Sequence, residues 1–96
     1  MKPSEALNAN RAEVIRIVQM NNAVNARVFG SVLHGDDAEG SDLDLLVDPN
    51  PQTSLLDIAR IKKRLTAVLG VPVDVLTPKA LPEIFRAQVL AEAQPI

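Results

Sequence analysis

Phe29-Gly-Ser-Val-Leu-His-Gly-Asp-Asp-Ala-Glu-Gly-Ser-Asp-Leu-Asp-Leu-Leu-Val-Asp48 is the stretch on which the reading of this chain turns. It begins at the end of a short apolar run, Ala26 to Phe29, and passes through a Gly-Ser turn into an acidic loop. It finishes in a strand-like segment where Leu43, Leu45 and Val47 alternate with Asp42, Asp44 and Leu46. Successive side chains of a strand point to opposite faces. Asp42 and Asp44 therefore share a face and are close enough to grip one cation between them. Two neighbouring carboxylates repel and desolvate badly unless a proton or a metal offsets them. A few hard oxygen donors suit Mg²⁺, which takes the rest of its shell from water and phosphate.

An Asp-x-Asp pair alone fits equally well the wet face of an ordinary antiparallel strand. Two features favour the cation site. Aspartate is depleted in strands, and Gly30-Ser31 reads as a tight turn opening a short helix at Val32 to His34. A helix N-terminus behind a glycine is a ready anion site. An anion site beside a carboxylate pair fits a metal-bound polyphosphate that bridges the two. Other phosphate motifs fail. Gly30 to Gly35 has Walker spacing, but Asp36 stands where the lysine is required. There is no Gly-x-Gly-x-x-Gly, and the acidic loop lacks calcium-loop spacing.

The chain has 96 residues and an apolar content of 47%, which is expected to form one small domain over residues 1–96 near the lower size limit for a working core. With no cysteine, disulfides and thiolate metal sites are excluded. No apolar run reaches transmembrane length and the N-terminus does not read as a signal peptide, so a cytoplasmic protein without membrane contact is expected. Net charge is only −2, yet seven acids and no lysine or arginine fall between Arg27 and Arg60. Such an acidic half argues against direct nucleic-acid binding, which requires basic surface.

Taken in order, Pro3-Ser4 opens a helix expected to run to about Asn21, with Leu7, Val14, Ile17 and Val18 on its apolar stripe. Ala26 to Phe29 and Leu43 to Val47 are the first two strands, and Asp48-Pro49-Asn50-Pro51 ends the second. Thr53 or Ser54 caps the next helix, with Asp57 in its first turn. Ile58, Ile61, Leu65 and Val68 form its inner face, and Gly70 ends it. Arg60, Lys63 and Arg64 project elsewhere, as a solvated face or toward a bound triphosphate. Val71 to Leu76 is the third strand, with Asp74 opposite Val73 and Val75. An acid in an apolar strand sits on a wet edge or needs a partner, and with Asp42 and Asp44 it would complete a metal triad. A last helix is expected from Pro82 to about Ala93, with Ile84, Phe85, Val89 and Leu90 supplying core contacts and Arg86 at the surface.

Gly30-Ser31, then Asp42-x-Asp44, then a lone Asp74 on a later strand resembles the nucleotidyltransferase superfamily related to DNA polymerase beta. The short length and the run Ser41-Asp-Leu-Asp-Leu-Leu-Val47 are similar to its minimal nucleotidyltransferases. So is Val73-Asp-Val-Leu-Thr-Pro-Lys-Ala-Leu81 followed by a helix. The similarity spans nearly the whole chain.

The resemblance implies an α/β (α+β) fold, a small mixed sheet of three to four strands with helices mainly on one face, and two Mg²⁺ ions. By carry-over, Asp42 and Asp44 bind both metals and Asp74 joins at the catalytic one. Gly30 and Ser31 hold the phosphates of a nucleoside triphosphate, ATP, with Ser41 and Lys79 as further nucleotide contacts. His34 precedes Gly35 where the family often has arginine, which weakens phosphate electrostatics at pH 7. Relatives of this kind are antitoxins whose partner is a HEPN-domain ribonuclease toxin, modified by transfer of AMP to a tyrosine. The chain itself contains no tyrosine or tryptophan, so an acceptor must come from another molecule. Two further readings remain open: a module that neutralises its partner by stoichiometric binding alone, and a transferase acting on a small molecule, which the short length disfavours.

Overall fold

The computed structural model describes residues 1–96. Its centre is the strand β2, Leu43–Pro49. Leu43, Leu45 and Val47 are fully buried and belong to the main core, while Asp44 and Asp48 are only half-buried on the opposite face. That alternation is the one expected of a strand packed on one side. β1, Ala23–Phe29, runs antiparallel to β2, and β3, Val73–Leu76, runs parallel to it. A two-residue strand β4, Gln94–Pro95, closes a mixed sheet of order β3-β2-β1-β4.

Helices α2 (Arg11–Met20) and α4 (Leu55–Leu69) cover the apolar face of this sheet, and α1 (Pro3–Ala9) packs against both helices. Leu7, Val14, Ile17 and Val18 pack there against Ile61 and Leu65 from α4. The single N-terminal helix expected from the stripe is two helices, broken at Asn10. The Asn10 side chain donates to the Ala6 carbonyl at 2.9 Å, and its backbone leaves helical geometry at ψ 23°. Asparagine bonded to nearby backbone competes with the helix ladder.

The first strand also starts earlier than expected, at Ala23. Asn22 and Asn25 both have positive φ, at 61° and 56°, and the register with β2 slips between Val24 and Arg27. Asparagine tolerates this left-handed geometry better than most residues. A bulge of this kind interrupts the alternation that marks a strand in sequence.

Ser54 caps α4, and its hydroxyl accepts from the Asp57 N–H at 3.2 Å while the Asp57 carboxylate accepts from the Ser54 N–H at 3.0 Å. This reciprocal pair settles the sequence choice between Thr53 and Ser54. Asn22 also donates to Asp57, at 3.3 Å, which ties the cap to the start of β1. Replacing Ser54 with alanine is expected to cost about 1 kcal/mol. In a domain of this size that lowers Tm by roughly 4–8 °C, which a thermal melt followed by circular dichroism will read. Within α4, Leu69 takes the inward place expected for Val68, which is largely exposed.

The last helix, α5 (Glu83–Glu92), corrects the sequence reading most. None of its residues is buried, and Ile84 is 88% exposed. Phe85 and Leu90 are exposed as well, and Val89 is half-buried. Arg86 holds this helix in place instead. Its guanidinium donates to the carbonyls of Pro78, Lys79 and Leu81 at 2.9, 3.1 and 2.7 Å. These bonds clamp the 3-10 turn Pro78–Ala80. Leu46 and Leu81, both fully buried yet outside the main core, lie on this second side of the sheet. No helix is long and apolar enough to cross a membrane.

Candidate active site

Parallel pairing places Asp44 of β2 directly beside Asp74 of β3, in a register that also matches Leu43 with Val73 and Leu45 with Val75. Adjacent strands lie roughly 5 Å apart, so the two carboxylates share one patch on the polar face. Asp42 stands two residues before Asp44, just ahead of the strand, and is exposed. Burial, then the charges of Asp74 and Asp42, push the Asp44 carboxyl up to about 6. Burial disfavours the charged form, and neighbouring like charges add to that effect.

Gly30 packs against the same carboxylate from the other side. Phe29, the last residue of β1, is the antiparallel partner of Asp44. The chain then turns through Gly30 at φ 74° into the one-turn helix α3, Ser31–His34. A Cβ on Gly30 would lie 2.2 Å from Oδ2 of Asp44 and 3.1 Å from its Cγ. The space that a side chain would need at Gly30 is thus taken by Asp44. The first bond of α3 runs from the His34 N–H to the Gly30 carbonyl, at 3.2 Å. The N–H groups of Ser31, Val32 and Leu33 therefore lie outside the helix ladder. With only four residues, α3 offers an anion these few donors and little macrodipole.

The remaining sequence candidates are placed less uniformly. The Ser41 hydroxyl accepts from the Ala38 N–H at 2.9 Å, and its own N–H donates to the Ala38 carbonyl at 3.0 Å. Ser41 thus closes the turn that delivers Asp42, and its hydroxyl is engaged there. Lys79 sits in the turn beyond the C-terminal end of β3, whereas Asp74 lies near the strand's start. With Pro49, Thr77 and Pro78 it lines a cleft of about 220 Å³. Lys79 is therefore at the opposite end of the sheet from Asp42 and is not brought to the carboxylates. His34 Nε2 lies 3.2 Å from Glu92 Oε2, so the imidazole pairs with α5. Asp37, in the acidic loop, accepts from the Ser4 N–H at 2.9 Å, which lowers its pKa and fixes the loop to the first turn of α1.

Sequence reading did not single out Lys62. Its Nζ lies 3.7 Å from Oδ1 of Asp74. Arg60, weighed earlier for a phosphate role, is paired with Asp57 at 3.0 Å. The sign of Lys62 lies in helix phase: it follows Ile61, whose side chain is fully buried. The short Gly70–Pro72 link returns the chain into β3 beside α4.

No group of three or more histidine, aspartate and glutamate side chains is arranged to hold a metal ion, so the metal triad expected of Asp42, Asp44 and Asp74 is not gathered as such. The donor set nevertheless fits magnesium. Asp44 is a carboxylate held against its own ionisation first by burial and then by two other carboxylates, and a divalent cation offsets both. Mg²⁺ binds through one or two carboxylates with water and substrate phosphates completing its shell, so a closed cage is not required.

Residues 12–96 match the family model described as "Polymerase beta, Nucleotidyltransferase". A candidate protein adenylyltransferase of Methanocaldococcus jannaschii is 36% identical over 87 residues, covering 91% of this chain and 94% of its own. The protein adenylyltransferase MntA of Thermococcus cleftensis is 38% identical over 65 residues, 68% of this chain and 66% of the relative. A solved structure described as a candidate minimal nucleotidyltransferase superposes with a TM-score of 0.86 at 45% identity, covering 97% of this chain and 95% of that one. A toxin–antitoxin structure with AMP-PNP shares the fold, with a TM-score of 0.75 at 19% identity over 90% of this chain and 71% of that one.

Proposed function

The chain belongs to the polymerase beta nucleotidyltransferase family, and from that premise we propose that it is the antitoxin of a toxin–antitoxin pair, transferring AMP from ATP to a tyrosine of a HEPN-domain ribonuclease partner. The observation that carries this reading is the register of Asp44 with Asp74, with Gly30 packed against Asp44. The names of the relatives as protein adenylyltransferases support the reaction and the class of acceptor.

Asp42, Asp44 and Asp74 would hold Mg²⁺, two ions in the full reading, with ATP supplying further oxygens. When bound, such ions draw charge from the α-phosphorus, the attacking oxygen and the departing pyrophosphate. The chain's own residues do the positioning. Gly30 leaves room for the Asp44 carboxylate, and Ser31 starts the turn whose free N–H groups can take phosphate oxygens. The Arg86 clamp and the His34–Glu92 pair keep α5 beside the sheet. In the reaction an acceptor hydroxyl oxygen bonds to the α-phosphorus, the bridge to the β-phosphate breaks, and pyrophosphate leaves with loss of the hydroxyl proton.

A chain with no tyrosine has only serine and threonine hydroxyls to offer as internal acceptors. Incubation with Mg²⁺ and ATP labelled at the α-phosphate is expected to leave it almost unlabelled. Adding the protein encoded by the adjacent reading frame should move label onto that protein, at a tyrosine located by peptide mass spectrometry. Label confined to this chain, or none on the partner, would contradict the reading.

A further inference from the structure

We propose that Lys62 is a placeholder cation at Asp74, which resists metal loading until a triphosphate arrives and then favours the loaded state. This inference rests on the metal and nucleotide reading above.

β3 is an edge strand, and α4 crosses the core face beside it with Ile61 and Leu65 turned inward. Asp74 points away from that face, since its neighbours Val73 and Val75 belong to the core. Lys62 therefore reaches around the open edge of the sheet, and its ammonium rests 3.7 Å from Oδ1 of Asp74. The side chains of Lys62 and Asp74 are 59% and 48% exposed, so the pair is held by position and can part. The chain's other aspartate ion pairs are Arg27 with Asp48 and Arg60 with Asp57. Lys62 is thus the only side-chain cation in an ion pair with any of the three site carboxylates.

A free divalent ion approaching Asp74 meets the like charge of Lys62 and must displace it. A metal carried by a triphosphate arrives as a net anion, and the same ammonium attracts it. One charge therefore acts with opposite sign on the two loading events. A flexible lysine suits this role because its ammonium is a compact charge on a mobile stem. Arginine would keep the charge, and methionine would keep much of the length without it.

The test titrates Mn²⁺ by electron paramagnetic resonance, with and without a non-hydrolysable ATP analogue, on wild type, Lys62→Met and Lys62→Arg. Lys62→Met is expected to bind Mn²⁺ roughly three- to tenfold more tightly without nucleotide, the scale of one screened unit charge near the metal. With the analogue present, the same variant should bind the Mn²⁺–nucleotide pair more weakly by a similar factor. Lys62→Arg should stay near wild type in both titrations. Both substitutions lie at an exposed position, and an unchanged thermal melt verifies the fold. Unchanged Mn²⁺ affinity in Lys62→Met, or weaker binding without nucleotide, overturns the placeholder role while leaving the metal site standing. A wild-type protein that binds no Mn²⁺ under either condition overturns both.

Discussion

Asparagine at position 44 is expected to give a protein that is more stable without metal and unable to transfer a nucleotide. Asp44 titrates near 6 instead of 3.8 because burial and the charges of Asp74 and Asp42 oppose its ionisation. Between those two values the folded state holds the proton that the unfolded chain has lost. Stability therefore falls as pH rises from about 4 to 6, and the penalty persists above that range. Each pKa unit corresponds to about 1.4 kcal/mol; because the group is partly exposed, solvent screening reduces the total to about 1–2 kcal/mol. Asp44→Asn should recover that amount at pH 8 and nothing below about pH 4. Thermal melts at the two pH values, made with chelator present, check the sign. Transfer should fall by roughly a thousandfold or more, the scale of losing a preorganised charged group at a reacting centre. A variant less stable than wild type at pH 8 would contradict this picture of the carboxylate patch.

Alanine at position 30 should be as damaging to activity for a different reason. Its Cβ would stand 2.2 Å from Asp44 Oδ2, and φ at this position is 74°. Both the side-chain contact and the backbone geometry exclude a normal L-residue. The carboxylate is the softer of the two parts and must swing away, which takes it out of register with Asp74. Nucleotide-dependent Mn²⁺ binding and transfer should both fall by at least about a hundredfold, since a displacement of about 1 Å at a reacting centre already carries that cost. The sheet should survive, because Leu43, Leu45 and Val47 lie on the other face. Retained activity in a folded Gly30→Ala protein would mean that Asp44 does not work in the position seen here.

What was legible in the sequence was what alternation and turn chemistry encode. Leu43 to Val47 read as a one-sided strand, Thr53 or Ser54 as a cap, and Gly30-Ser31 followed by Asp42-x-Asp44 as a candidate site. The parallel register that aligns Asp44 with Asp74 depends on how α4 and its short return pack, and no local pattern states it. Asn10 and Asn25 look like ordinary polar positions until their side chains and φ angles show a break and a bulge. α5 misled because its apolar residues suggest a buried face, although Ile84 points to solvent and Arg86 is the residue that fastens the helix. Lys79 was tempting because it follows the Asp74 strand closely in sequence. That strand carries it away from the site, while Lys62, twelve residues before Asp74, comes back beside it.

The central claim is that the paired carboxylates perform nucleotidyl transfer to a partner protein, and Asp74→Asn tests it most directly. Asp74 lies at the sheet edge, half-exposed and outside the core, so the variant should fold and still form a complex on gel filtration. The measurement is the intact mass of the partner after incubation with Mg²⁺ and ATP. Wild type should raise that mass by one or more AMP units and abolish the partner's toxicity, whereas Asp74→Asn should do neither. An Asp74→Asn protein that neutralises the partner as fully as wild type, with no mass change in either case, would mean that it works by binding alone.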